Sequence, residues 1–533
     1  MSGQQLLTCR MKSYIQPFEK QLAMHELRRL AGAPPALKRR DPFEFIVPTM
    51  VSTQVLADRL AYWEKVGDSE HLTTQVLREA TFAVARNGIP LGELQAVLPF
   101  RSSPMLPNRR CLRYGPHGLH EYRGKFFPQL VPALLNWSGV AKGSVIADPM
   151  CGSGTAVVEA ALLGCTAIGL DLNPLSVFIS RTKCDVLRAS PSELVRTYEL
   201  VCETLANGRR IAPGEQPWVS GLPKWDQEYL RGWFSEEVLR GLEEIVACIR
   251  GVRARVCRDL LWACLSNILR TVSWQKEDDL RVRRQSKSVS YDKTVTEFLD
   301  EAHRSIKTLV AFLLQSCNAE TGETNVLEGD ARFAERILDH WRGRIDVVIT
   351  SPPYATALPY LDTDRLSLIY LGLLPRGDHR QRDKLMIGNR EISDRQRMTY
   401  WDAFLSGRKS LPSSVANLVE GIETRNANAD VGFRRRNVGA LLAKYFLDMR
   451  QVFVSLRSLL RRDGNAFVVV GSNHTYAGGE RVKIDTALLL GELAESCGFN
   501  LTEAIPMEML VSRDIFRKNA GESETILSLQ SPQ

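Results

Sequence analysis

The chain has 533 residues, 44% hydrophobic and 24% charged, enough to bury a full α/β core and still carry one or two accessory modules. Its net charge of +8, from 69 basic and 61 acidic residues, is modest for that length, so where the charge sits matters more than its sum. No apolar run reaches the length of a membrane span, the polar start Met1 to Gln5 lacks a signal-peptide core, and the 11 cysteines include no Cys-x-x-Cys pair, so a cytoplasmic protein with reduced core cysteines is expected.

In chain order, residues 1–110 read as a helical accessory module, with amphipathic stretches from Phe18 to Leu30 and Val55 to Val66 broken at Pro34, Pro35 and Pro42. Pro104, Pro107 and Pro116 mark a linker into the first half of a core, residues 111–187. There the apolar run Val145, Ile146, Ala147 predicts a strand. It leads through Asp148, Pro149, Met150, Cys151, Gly152, Ser153 and Gly154 into a helix opening at Thr155. Glycines in such a turn let the backbone approach a ligand, and the amides of the following helix face it. The next strand, Ala167 to Leu170, ends in Asp171, a carboxylate placed to accept hydrogen bonds from ribose hydroxyls. No Gly-Lys-Ser/Thr follows the turn, which disfavours a phosphate loop.

Residues 188–320 carry helical patterns, such as Glu236 to Ile249 and Thr294 to Leu314, and form a large helical insertion that is the candidate for target recognition. Arg281, Arg283, Arg284 and Lys287 cluster within it as candidate phosphate contacts beside Trp274, and Arg434, Arg435 and Arg436 form a second cluster. The core resumes over 321–373, where the strand Ile345 to Ile349 runs into Ser351, Pro352, Pro353 and Tyr354. Residues 374–440 read as a long polar, arginine-rich loop. Residues 441–533 complete the core, with a helix from Tyr445 to Leu460, a strand from Ala466 to Val470, a helix from Leu488 to Cys497 and two closing strands.

Ligands bind at the carboxyl edge of open α/β sheets, where both loops are expected. Pro352 and Pro353 fix φ and donate no amide hydrogens, so the second loop is stiff and offers acceptors. The Ser351 hydroxyl and the Pro352 carbonyl suit an exocyclic amine, and the Tyr354 ring suits a base face. Either loop alone is also compatible with an ordinary tight turn, and their combination is what points to chemistry.

Taken together these segments resemble the S-adenosylmethionine-dependent amino-methyltransferases of DNA, and Ser351-Pro-Pro-Tyr354 is most like the N4-cytosine branch. The resemblance implies a Rossmann-like methyltransferase sheet with S-adenosylmethionine as cofactor. The segment His120 to Pro128 is similar to the stretch that encloses the methionine end of the cofactor, which brings in Lys125 and Phe126. It further implies cofactor roles for Asp148, Pro149, Cys151, Gly152, Ser153, Gly154, Thr155, Asp171 and Asn173, with Asp330 as the adenine-side acid and Ser351 to Tyr354 as the catalytic loop. The implied reaction is direct methyl transfer to a base flipped out of double-stranded DNA, without a covalent enzyme intermediate. That agrees with the lack of a Pro-Cys nucleophile. Adenine-N6 stays open as the target. The glycine loop is also similar to that of guanine-N2 methyltransferases of RNA, and a catalytically silent nucleic-acid-binding subunit is a further alternative. A companion nuclease or defence-system subunits are compatible partners. The 8 histidines show no ligand spacing, so no metal is expected, and His120 and His474 are read as hydrogen-bonding or surface residues.

Overall fold

In the computed structural model the described residues are 4–67, 71–122, 127–207, 212, 214–276, 283–316, 320–355, 360–389, 392–508 and 524–532. The chain opens with strands β1 (Gln5–Met11), β2 (Ala36–Arg40), β3 (Phe43–Thr49), β4 (Trp63–Val66) and β5 (His71–Leu72), an antiparallel sheet in the order β2-β3-β1-β4-β5. This corrects the expectation of a helical module over 1–110. In β1 only Leu7, Cys9 and Met11 turn inward, an alternation of period two, and none of the three is a β-branched residue. The helices Pro17–Ala31, Thr53–Arg59 and Thr74–Arg86 accompany this sheet.

The main sheet contains β6 (Val145–Asp148), β7 (Thr166–Asp171), β8 (Thr324–Glu328), β9 (Ile345–Thr350) and β10 (Leu460–Gly471), then a small hairpin β11 (Asn473–Ala477) and β12 (Glu480–Ile484) outside it, and finally β13 (Asn500–Met507) and β14 (Glu524–Gln530). Its order is β13-β14-β10-β9-β6-β7-β8. The five strands from β10 to β8 are parallel, and β14 and β13 close the edge antiparallel. The fold is therefore α/β with a Rossmann-like sheet, as the resemblance implied. Its strands alternate between two cores: Ile146, Val347, Ile349, Phe467 and Val469 face one, whereas Ala147, Val348, Ala466, Val468 and Val470 face the other.

The chain runs from β6 outward to β7 and β8, then returns to the other side of β6 as β9, so the topological switch lies between β6 and β9. Ligand crevices in open α/β sheets form there. Asp346 fixes the pair, since its carboxylate accepts from the Val145 amide at 2.8 Å and from Arg461 Nε at 2.6 Å.

The described part of residues 188–320 is mostly helical, with Pro191–Asn207, Glu236–Gly251, Arg255–Val272 and Tyr291–Gln315 as its long helices and an antiparallel bridge between Gln275 and Arg284. The 374–440 stretch differs from the expected loop. It forms the helices Arg376–Leu385, Asp394–Gly407, Ser413–Ala427 and Phe433–Arg436. Val415, Val419 and Ile422 recur at helical spacing and are buried with Phe404 in the second core, while the arginines between and around them obscure that pattern in the sequence. Among the described residues no helix is long and apolar enough to cross a membrane.

Candidate active site

The loop after β6 is held open by two left-handed glycines. Gly152 has φ 50° and Gly154 φ 79°, a region costly for any side chain. A Cβ on Gly152 would lie 2.9 Å from the Tyr122 ring, and one on Gly154 would lie 2.8 Å from Ser180 Oγ. Tyr122 thus lies against the glycine turn, with its hydroxyl 3.0 Å from Ser176 Oγ. No spacing in the sequence marks it, although it lies in the His120 to Pro128 segment. Lys125 and Phe126, from the same segment, lie outside the described residues.

Asp171, at the end of β7, accepts from the Gly152 amide and from the Asn173 amide, each at 2.8 Å. A carboxylate has about four lone-pair sites, so two backbone bonds leave acceptor capacity for a ligand hydroxyl. Loss of water pushes its carboxyl up to about 6, against the pull of these amides. Asp148 accepts from the Met150 amide at 3.2 Å and is pushed up to about 7, again mainly by burial. Ser153 is 2% exposed, and its hydroxyl has no hydrogen-bond partner among the described residues. A cradle that a Cβ would fill, an orphaned hydroxyl and a desolvated carboxylate fit a bound nucleoside-like cofactor.

The remaining expected cofactor residues have mixed surroundings. Thr155 begins the helix Thr155–Leu162 immediately after Gly154. Cys151 is buried, its thiol pushed well above its ordinary value by burial, and Gly169 of β7 leaves room for its sulfur; a protonated thiol that fits the turn is no nucleophile. Asn173 caps the helix Pro174–Asp185 through the Leu175 amide and donates to Asp364 at 2.9 Å. Asp330 is bound by Arg332, which also bridges to Asp448 at 2.8 Å and donates to the Leu385 carbonyl at 2.9 Å. Arg382 donates to the Leu172 carbonyl at 2.7 Å and to Glu328 at 2.5 Å, so the helix Arg376–Leu385 is tied to the carboxyl ends of β7 and β8. His120 contacts Ser266 Oγ at 2.9 Å and the Glu121 carbonyl at 2.8 Å, which gives it a structural role.

Ser351, Pro352, Pro353 and Tyr354 follow β9 at the same sheet edge. The Tyr354 hydroxyl donates to Glu524 of β14, and its ring lies against Gly471 at the end of β10, where a Cβ would approach to 2.9 Å. Asn473 donates to the Ala355 carbonyl, and Gly388, at φ 77°, passes so close that a Cβ would lie 3.0 Å from the Tyr354 carbonyl. No sequence signal marks Glu524, Gly471, Asn473 and Gly388, since each acts through a contact between segments far apart in the chain.

Of the expected nucleic-acid contacts, Arg281 lies outside the described residues. Arg283 and Arg284 are exposed, and the Arg284 guanidinium stacks 4.5 Å from the Trp274 ring. The Trp274 indole donates to the Lys287 carbonyl at 3.0 Å, which makes this tryptophan a packing residue. Lys287 in turn donates to the Thr271 carbonyl at 2.8 Å.

Residues 120–203 match the RMKL-like methyltransferase domain model of the UPF0020 family. The chain is 27% identical to the type II methyltransferase M.MvaI of Kocuria varians over 51% of its own length and 62% of that protein. It is 25% identical to the type II methyltransferase M.BsoBI of Geobacillus stearothermophilus over 72% of itself and 78% of that protein. A shorter likeness, 40% identity over 52 residues, links 10% of the chain to 16% of a tRNA (guanine(10)-N2)-dimethyltransferase of Methanothermobacter thermautotrophicus. A methyltransferase domain agrees with the expectation of S-adenosylmethionine as cofactor. The chain is thus similar to type II methyltransferases and carries a methyltransferase domain, in accord with the methyltransferase resemblance of its motifs.

Proposed function

We propose that the chain is an S-adenosylmethionine-dependent DNA methyltransferase of the restriction-modification kind, acting on an exocyclic amino group, with N4 of cytosine as the leading target. The observation that carries this reading is the meeting of two loops at the switch point: the glycine turn after β6 and Ser351 to Tyr354 after the adjacent β9. Asp171 and the amides of the glycine turn would hold the nucleoside part of the cofactor, with Asp148 and Ser153 beside them. When bound, the cofactor supplies a methyl group on a sulfonium, an excellent leaving group.

The protein's task is then to position and desolvate the amine. Ser351 Oγ and the Pro352 carbonyl would accept the two amine hydrogens and so leave the nitrogen lone pair turned toward the cofactor's methyl group. The surplus proton leaves the nitrogen by way of Ser351 to solvent. Tyr354 receives the flipped base, and stacking offsets part of the few kcal/mol that flipping costs. Its hydroxyl bond to Glu524 and its seat on Gly471 keep the ring in place.

Labelled methyl transfer to genomic DNA and to total RNA, followed by nucleoside analysis, tests the reading. N4-methylcytosine supports it and N6-methyladenine changes only the base. N2-methylguanosine in RNA with unmodified DNA replaces it by the RNA reading, which the 52-residue likeness favours. Absence of any labelled product would leave the silent binding subunit.

A further inference from the structure

Positive charge is not spread evenly over the chain. Residues 374–440 hold 13 basic and 8 acidic side chains, whereas the helical insertion 188–320, about twice as long, holds 20 and 19. The long helices of that insertion are also committed to the main core, through residues such as Leu242, Ile245, Leu261, Leu265, Phe298 and Leu309. They serve as scaffold, and the charge excess lies elsewhere.

Within the arginine-rich segment the helices Arg376–Leu385, Asp394–Gly407 and Phe433–Arg436 enclose a half-open cleft of about 460 Å³. Among the described residues three cations, Arg380, Lys384 and Arg434, line it against one carboxylate, Asp383. Its wall also carries Phe433, 51% exposed, and the amides of Gln396 and Asn437. Asn437 is 2% exposed. Its Nδ2 donates to the Ile392 carbonyl at 3.3 Å, while its Oδ1 has no donor among the described residues. A buried amide oxygen without a partner, in the wall of a basic cleft, calls for a donor from a ligand. The same segment reaches the catalytic loop at Gly388, beside the Tyr354 carbonyl.

We propose that this cleft, and not the helical insertion, holds and reads the DNA strand beside the target base. Arg380, Lys384 and Arg434 neutralise phosphates, and Asn437 offers its Oδ1 to a base edge, since amide side chains match the donor and acceptor patterns of bases. The proposal rests on the DNA methyltransferase reading above and adds the surface that selects the substrate.

The test compares two variants of the full chain on a fluorescent duplex fragment of genomic DNA across a salt series. The triple variant Arg380→Ala, Lys384→Ala, Arg434→Ala should lose about tenfold or more in affinity and flatten the salt dependence by up to about 2.7, or about 0.9 per phosphate. Its affinity for S-adenosylmethionine and its melting temperature should stay unchanged, which separates lost contacts from lost folding. The pair Arg283→Ala, Arg284→Ala should stay within about twofold of the parent. The proposal is overturned if the triple variant binds as the parent does, or if the Arg283 and Arg284 pair carries the loss. DNA binding that depends on the cleft without methyl transfer would count for the cleft and against the enzymatic reading. A parent that binds only RNA would overturn both.

Discussion

Burial pushes the Asp148 carboxyl up to about 7 and that of Asp171 up to about 6, from an ordinary value of 3.8. A carboxyl raised on folding holds its proton more tightly in the folded chain. The stability it lends is therefore complete below about pH 4 and is lost as the pH rises through 6 and 7. The melting temperature of the ligand-free protein should fall between about pH 4 and pH 7, and Asp148→Asn should flatten that slope. Ribose hydroxyls donate to an ionised Asp171, so binding of S-adenosylmethionine should draw this carboxyl toward ionisation and release protons near pH 6. Calorimetry in buffers of unlike ionisation enthalpy measures that release, and Asp171→Asn should abolish it and weaken binding by about 1.5–3 kcal/mol, the worth of hydrogen bonds to a charged group. A parent protein that releases no protons would take Asp171 out of the ribose contact. Asp171 was legible because a carboxylate at the end of the second strand has a place fixed by the local strand-turn-helix pattern. Tyr122, which lies against Gly152, was not, because nothing in its spacing distinguishes it from the other aromatic residues of its segment.

At the level of elements, the catalytic loop depends on neighbours that arrive from three directions: Gly471 from β10, Glu524 from β14 and Gly388 from the arginine-rich segment. Gly471 has no positive φ, so alanine is compatible with its backbone, but the added carbon would lie 2.9 Å from the Tyr354 ring. Gly471→Ala should therefore leave folding and cofactor affinity near those of the parent while kcat falls, because the ring must move and a small misplacement can cost about 10²-fold. Tyr354→Ala should likewise keep the cofactor and lose transfer, whereas Tyr354→Phe keeps the ring and loses the hydroxyl bond to Glu524. If steady-state assays show Gly471→Ala turning over at the parental rate, ring placement does not govern the reaction. The parallel strands are legible because strands covered on both faces read as short apolar runs, such as Val347 to Ile349. The N-terminal sheet and the helices of 374–440 were harder to read. In the first, the alternation rests on Leu7, Cys9 and Met11; in the second, a sparse apolar spacing is diluted by arginines and polar residues.

Across the whole molecule, a buried polar chain joins the N-terminal sheet to the helix that follows the glycine turn. Glu79, on the helix Thr74–Arg86, accepts from Lys12 at 2.7 Å, Tyr14 at 2.9 Å, Gln75 at 2.9 Å and Gln129 at 3.1 Å. Gln75 also donates to the Tyr114 hydroxyl at 3.0 Å, and that hydroxyl donates to Glu159 at 2.7 Å, on the helix Thr155–Leu162, where His117 lies at the same distance. A second link runs through Glu26, which accepts from the Tyr62 amide at 3.0 Å and from Asn136 at 2.9 Å. The Lys12 and Glu79 side chains are 3% and 0% exposed, so neither charge can turn to water when the other is removed. Breaking such a pair leaves an uncompensated buried charge, which costs about 3–5 kcal/mol, whereas replacing both members by apolar groups of similar volume is often close to neutral. Glu79→Ala should accordingly lower the denaturation midpoint strongly, and Lys12→Met combined with Glu79→Leu should recover part of that loss, with Tyr14, Gln75 and Gln129 still short of an acceptor. Urea titrations of the parent, both single variants and the double variant measure the coupling between the two residues. A Glu79→Ala protein within about 1 kcal/mol of the parent would show that the Lys12–Glu79 pair does not govern how the accessory sheet is joined to the core, because a buried charge that retained its cost could not be removed so cheaply.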